Sequence, residues 1–144
     1  MSAATGAAFD ARLENLHALL GWVEQACASA GVGEDTAFPL RLAVEEVAAN
    51  VIKHGYGASG PGPIRLTFRA DDRNAVVVVE DEAPAFDPAE APAPDLDADW
   101  AERRVGGLGW HLVYQLVDDV HYEALPRRGN RITLIKRREP GVSS

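Results

Sequence analysis

Val44-Glu45-Glu46-Val47-Ala48-Ala49-Asn50-Val51-Ile52-Lys53-His54-Gly55-Tyr56 reads as the second half of a helix. Glu46, Asn50 and Lys53 or His54 recur at i, i+4 and i+7 or i+8, which lines them along one side of it. The residues between them are small or aliphatic, as packed faces require. A carboxylate, a carboxamide and a base stacked on an otherwise apolar helix are costly to bury without a use. A Glu and an Asn one turn apart can divide two tasks. One accepts a proton; the other holds a hard metal ion through its carbonyl oxygen. The plainer alternative is a Glu facing solvent and an Asn that bonds a loop.

Working outward, Glu34, Asp35 and Thr36 stand where this helix would start, with acids suited to its positive end. Pro39 suits its first turn. Gly55, Gly57, Gly60 and Gly62 end it near His54. Upstream, Phe9, Leu13, Leu16, Leu19, Leu20, Val23 and Cys27 follow helical spacing, and Gly31 stops that helix. Residues 1–8 are small and weakly patterned, and together with 139–144 they are expected to be flexible termini around one domain at 9–138. Downstream, Ile64, Leu66 and Phe68 alternate with polar residues as a half-buried strand. Val76 to Val79 reads as a central strand buried on both faces. Residues 82–105 hold four of the nine prolines and many acids, a long surface loop with Leu96 and Trp100 as anchors. A third helix runs from Trp110 to about Val117. Two last strands, around Val120 and Tyr122 and around Ile132 and Leu134, are joined near Pro126 to Gly129. This order predicts an α/β (α+β) fold: a two-layer sandwich whose mixed, mostly antiparallel sheet is covered on one face by helices.

The chain has 144 residues, 47% of them hydrophobic and 25% charged, within the ordinary range of a single globular domain. A net charge of −8 leaves no basic excess to displace counterions, which argues against direct nucleic-acid binding. The basic clusters Arg103-Arg104, Arg127-Arg128 and Lys136-Arg137-Arg138 are local, and each alone reads as solvated surface. Cys27, the only cysteine, excludes an intrachain disulfide. No apolar run approaches the roughly 20 residues of a membrane span, and no secretory signal is evident, so the expectation is a cytoplasmic protein without membrane contact.

Two further features carry chemistry. Gly106, Gly107 and Gly109 lead into a helix, whose free N–H groups and positive end suit phosphate. No Gly-Lys-Ser/Thr follows, so this is not a Walker loop. Asp81, at the end of the Val76–Val79 strand, can read an exocyclic amine such as adenine presents, or can satisfy its own turn.

Taken in order, Glu46 to Tyr56, Asp81-Glu82-Ala83-Pro84-Ala85-Phe86-Asp87-Pro88, Gly106-Gly107-Leu108-Gly109-Trp110-His111-Leu112-Val113 and Asn130-Arg131-Ile132-Thr133-Leu134 resemble the N-box, G1 box, G2 box and closing strand of the GHKL ATPase superfamily. Within it, the chain looks like the anti-sigma-factor serine kinases of bacterial partner switching, the RsbW and SpoIIAB type. The resemblance implies ATP and Mg²⁺. Glu46 would be the general base on a substrate serine, and Asn50 the Mg²⁺ ligand. Asp81 would bind the adenine amine, with Thr133 assisting through water. Ala83 and Phe86 would belong to the base end. Gly106, Gly107, Leu108 and Gly109 would form the phosphate turn. Residues 87–105 would be the ATP lid, with Arg104 its residue for the terminal phosphate. Lys53 and His54 would contact phosphate or support the helix end. The implied partners are a STAS-domain anti-anti-sigma protein as substrate and a sigma factor or equivalent target; a homodimer is a family expectation only.

Two departures stand out. Ala83 replaces the usual G1 glycine, and residues 1–8 make a poor version of the strand with which relatives commonly begin. Ala83 keeps open a second reading, a binding module that sequesters its partner without phosphoryl transfer. A third, a detached histidine-kinase-like catalytic domain, is disfavoured by the N-box Glu46 and the lack of a fused phosphoacceptor.

Overall fold

The computed structural model describes residues 4–56, 60–86 and 108–138. Strand β1 (Thr5–Asp10) leads through a 3-10 turn (Leu13–Asn15) into α1 (Leu16–Ser29). Next come α2 (Glu34–Asn50), its π-helical continuation (Val51–Gly55), β2 (Pro63–Ala70) and β3 (Asn74–Asp81). The described chain closes with α3 (Leu108–Leu116), β4 (Asp119–Ala124) and β5 (Asn130–Arg137). The sheet order is β1-β2-β3-β5-β4, and every pairing is antiparallel, so no mixed pairing occurs among the described residues.

The period of two sorts each strand. Ile64, Leu66 and Phe68 of β2, Val77 and Val79 of β3, and Ile132 and Leu134 of β5 are buried on one face. They pack against Leu19, Val23 and Cys27 of α1, Leu40, Val44 and Val47 of α2, and Val113 of α3. Helix α2 lies over β3 and β5, and the other two helices pack on it. Cys27 belongs to this core, where burial pushes its thiol up to about 11 and keeps it inert.

Several elements differ from the sequence expectation. Phe9 is in a strand, not a helix, and Thr5–Asp10 pairs with β2 from Thr5↔Phe68 to Asp10↔Pro63. Residues 5–8 therefore belong to the sheet; Gly6, Ala7 and Ala8 have little β-propensity, and backbone pairing to a neighbour supplies what their side chains do not. Pro39 is the sixth residue of α2 rather than part of its first turn. Helix β-sheet packing offsets the one intrahelical bond its ring removes. Strand β3 is buried fully on the helix side only: on the open side Val76 is shielded while Val78 is half-exposed.

Helix α1 does end as expected. Gly31 has φ 73°, Gly31 N–H donates to Ala28 (3.1 Å), and Val32 N–H donates to Cys27 (2.9 Å). These are the two bonds of a Schellman cap. The basic run Lys136-Arg137-Arg138 is structural. Lys136 and Arg137 pair with Asp118, and Arg138 donates to the carbonyls of Asp71 and Gly31. No described helix is long and apolar enough to cross a membrane.

Candidate functional site

A cavity of about 290 Å³ opens between α2, the C-terminal end of β3 and the start of α3. Val47, Val51 and Ile132 form its aliphatic wall, and Phe86 and Trp110 its aromatic one. The two rings sit 6.1 Å apart, tilted by 37°. Asn50, His54, Asp81 and Asn130 supply the polar groups. A mostly apolar cleft with a few fixed polar groups suits a flat heteroaromatic ligand.

Asp81 ends β3 and is 2% exposed. Its Oδ1 accepts from the Ala83 N–H (2.8 Å) and from Asn130 Nδ2 (2.9 Å). Its Oδ2 has no hydrogen bond among the described residues. Burial pushes this carboxyl above its ordinary range; the bonds from Asn130 and Ala83 and the Arg65 charge oppose that rise. The result is a fixed, desolvated acceptor facing an apolar cavity.

The turn after Asp81 is held from both sides. Tyr56, at the far end of the π turn, donates its hydroxyl to the Pro63 carbonyl and accepts from the Glu82 N–H at 2.8 Å. From β5, Asn130 Oδ1 accepts from the Phe86 N–H at 2.8 Å, and Nδ2 reaches the Pro84 carbonyl at 3.2 Å. Close approach demands glycine at position 129: φ is 123°, and a Cβ there would lie 2.2 Å from the Asp81 carbonyl oxygen.

A family model described as the histidine kinase-like ATPase domain matches residues 9–136. The chain belongs to this family. Its curated relatives include the serine/threonine-protein kinase BtrW of Bordetella bronchiseptica, 29% identical over 104 residues, 72% of each chain. An anti-sigma F factor of Bacillus licheniformis is 26% identical over 97 residues, 67% of this chain and 66% of the relative. Among solved structures, the RsbU and RsbW domains of Rv1364c from Mycobacterium tuberculosis share the fold. That match has a TM-score of 0.66 at 16% identity, covering 96% of this chain and 33% of the other.

Against this family's fold, the sequence candidates divide. Asn50, His54, Asp81 and Phe86 come together at the cavity. Ala83 is buried behind it, and its N–H orients Asp81. No non-glycine residue among those described has a positive φ, so Ala83 does not strain the turn that a glycine usually makes. Glu46 is half-buried one turn before Asn50 and does not line the cavity. Burial raises its pKa, Glu45 adds to the rise, and Lys53 opposes it.

Lys53 is exposed and off the cavity wall, whereas His54 is on it. The π turn causes this split: its wider winding resets the phase of the i, i+4, i+7 stripe after Asn50. Thr133 is also misplaced. It alternates with the buried Ile132 and Leu134, so it stands on the open sheet face beside Val78 and His121. Asn130 occupies the cavity instead. The signal was in the strand itself: if Ile132 and Leu134 face the core, Asn130 shares their side and Thr133 does not. Trp110 on the cavity wall was also missed; its Nε1 is buried with no hydrogen-bond partner among the described residues. Leu108 and Gly109 open α3. Leu96, Trp100, Arg104, Gly106 and Gly107 lie outside the described residues.

Proposed function

We propose that the protein is an ATP-dependent serine-protein kinase and anti-sigma factor of a partner-switching system. Its substrate would be a STAS-domain antagonist, and its sequestered target a sigma factor or an equivalent regulator. The observation that carries the reading is Asp81: a buried carboxylate with one oxygen accepting two hydrogen bonds and the other accepting none among the described residues, at a cavity with aromatic and aliphatic walls. That arrangement suits an adenine amine on a planar base. The kinase name of one relative and the anti-sigma name of another support the same assignment.

Asn50 would hold Mg²⁺ through its carbonyl oxygen, and the ion would neutralise phosphate charge. Asn50, on the cavity wall, would be the protein's oxygen donor to a hard ion that arrives with the nucleotide. In the transfer, the serine oxygen bonds to the terminal phosphorus and the bond to the ADP oxygen breaks. Glu46, one turn before Asn50, takes the serine proton. A base with a burial-raised pKa is better matched to that task than an ordinary carboxylate. Phosphate added at an interface with a protein of net charge −8 would favour release of the antagonist.

The binding-module reading rested on Ala83, and the unstrained turn there weakens it. Incubation with Mg-ATP and a STAS protein encoded beside this one tests the choice. Phosphoserine on the STAS protein is the expected product. Tight ATP binding with no transfer to it would leave a nucleotide-dependent clamp.

A further inference from the structure

Asn130 is 5% exposed, and its carboxamide is fully engaged. Oδ1 accepts from the Phe86 N–H and from the Tyr122 hydroxyl, each at 2.8 Å. Nδ2 donates to Asp81 Oδ1 at 2.9 Å and to the Pro84 carbonyl at 3.2 Å. An Asn amide can turn over with little steric change, so its partners decide its direction. Turned over here, Oδ1 would face the Asp81 carboxylate and the Pro84 carbonyl, acceptor against acceptor, while NH₂ would face the Phe86 N–H.

We infer that Asn130 and Tyr122 are positioning residues for base recognition: Tyr122 locks the Asn130 amide, and Asn130 in turn commits one Asp81 oxygen and leaves the other aimed at a 6-amino group. The inference rests on reading the cavity as a base pocket. Tyr122 does not line that cavity. It is on β4, paired with Ile132 of β5, and its hydroxyl meets the base end at Asn130. Nothing in its sequence neighbourhood marks it as part of a site; the β4–β5 hairpin brings it there.

A merely structural tyrosine would weaken all nucleotides alike, whereas a positioning one acts through the 6-amino group. The test measures Mg-ATP and Mg-inosine triphosphate, which has a 6-oxo group instead, on the whole chain by calorimetry. Wild type should prefer ATP. Tyr122→Phe removes the hydroxyl that bonds Asn130 Oδ1 and should weaken ATP about 3–10-fold while leaving inosine triphosphate unchanged. Asn130→Asp sets a second acceptor against Asp81 and should abolish the preference; a thermal melt of each variant checks folding. If Tyr122→Phe lowers both affinities equally, or neither, while wild type still prefers ATP, the inference falls and the base pocket stands. If wild type itself does not distinguish the two nucleotides, the reading of Asp81 falls, and this inference with it.

Discussion

Asp81 and Glu46 are both carboxylates that burial pushes above the ordinary range, yet they are held in opposite ways. Asp81 accepts two hydrogen bonds on one oxygen and cannot turn. Glu46 has no hydrogen bond among the described residues, only the opposing charges of Glu45 and Lys53. An immobilised carboxylate is a reading device: it presents a lone pair in a fixed direction. A carboxylate without hydrogen bonds, with its proton affinity raised, is equipped to collect a proton. Under the proposed function, environment would divide the same side-chain chemistry into recognition at Asp81 and proton removal at Glu46.

Glu46→Gln should separate the two most sharply. It keeps shape and removes the base, so the phosphotransfer rate should fall about 10²–10⁴-fold while ATP affinity holds. Comparable turnover in the variant would move the base elsewhere. Next in size, Asp81→Asn replaces a charge-assisted acceptor with a neutral one and should weaken ATP by about 10–100-fold in a titration. The same change should raise the melting temperature of the nucleotide-free protein. The folded-state pKa of Asp81 lies above its unfolded value, so at neutral pH the ionised buried form costs stability. That cost disappears in wild type as pH falls through the raised pKa, and the melting difference should shrink there too.

How far the sequence reaches is clear from these same residues. Helix α2, the alternation of β2 and the placement of Asp81 were legible because local period and composition agree with tertiary burial. Three things were not. The β1 strand depends on a partner brought from position 63 onward, and Thr5-Gly6-Ala7-Ala8 gives no local sign of it. The π turn has no periodicity of its own, so Lys53 and His54 could not be separated. The Asn130–Tyr122 link depends on a cross-strand hydrogen bond between residues eight apart. Thr133 was a different failure: the strand's alternation already excluded it from the face that Ile132 shares.

Smaller effects sharpen the contrast. Gly129→Ala should cost about 1–3 kcal/mol in denaturant unfolding, since its positive φ and contact with the Asp81 carbonyl leave no room for Cβ. It should weaken ATP more than it slows transfer, because it disturbs the base end alone. An unchanged midpoint would mean that the turn relaxes freely. Lys53→Met should have the least effect. Lys53 opposes the rise in the Glu46 pKa, so its loss should move the acid limb of the rate profile to higher pH without altering the plateau. An unmoved limb would detach Glu46 from the rate.

The most direct test crosses both carboxylates with both readouts, measuring ATP affinity and single-turnover phosphotransfer at saturating Mg-ATP in Glu46→Gln and Asp81→Asn. Opposite defects are expected: Glu46→Gln binds like wild type and does not transfer, and Asp81→Asn binds weakly but transfers near the wild-type rate once saturated. Parallel losses in both readouts for both variants would contradict it.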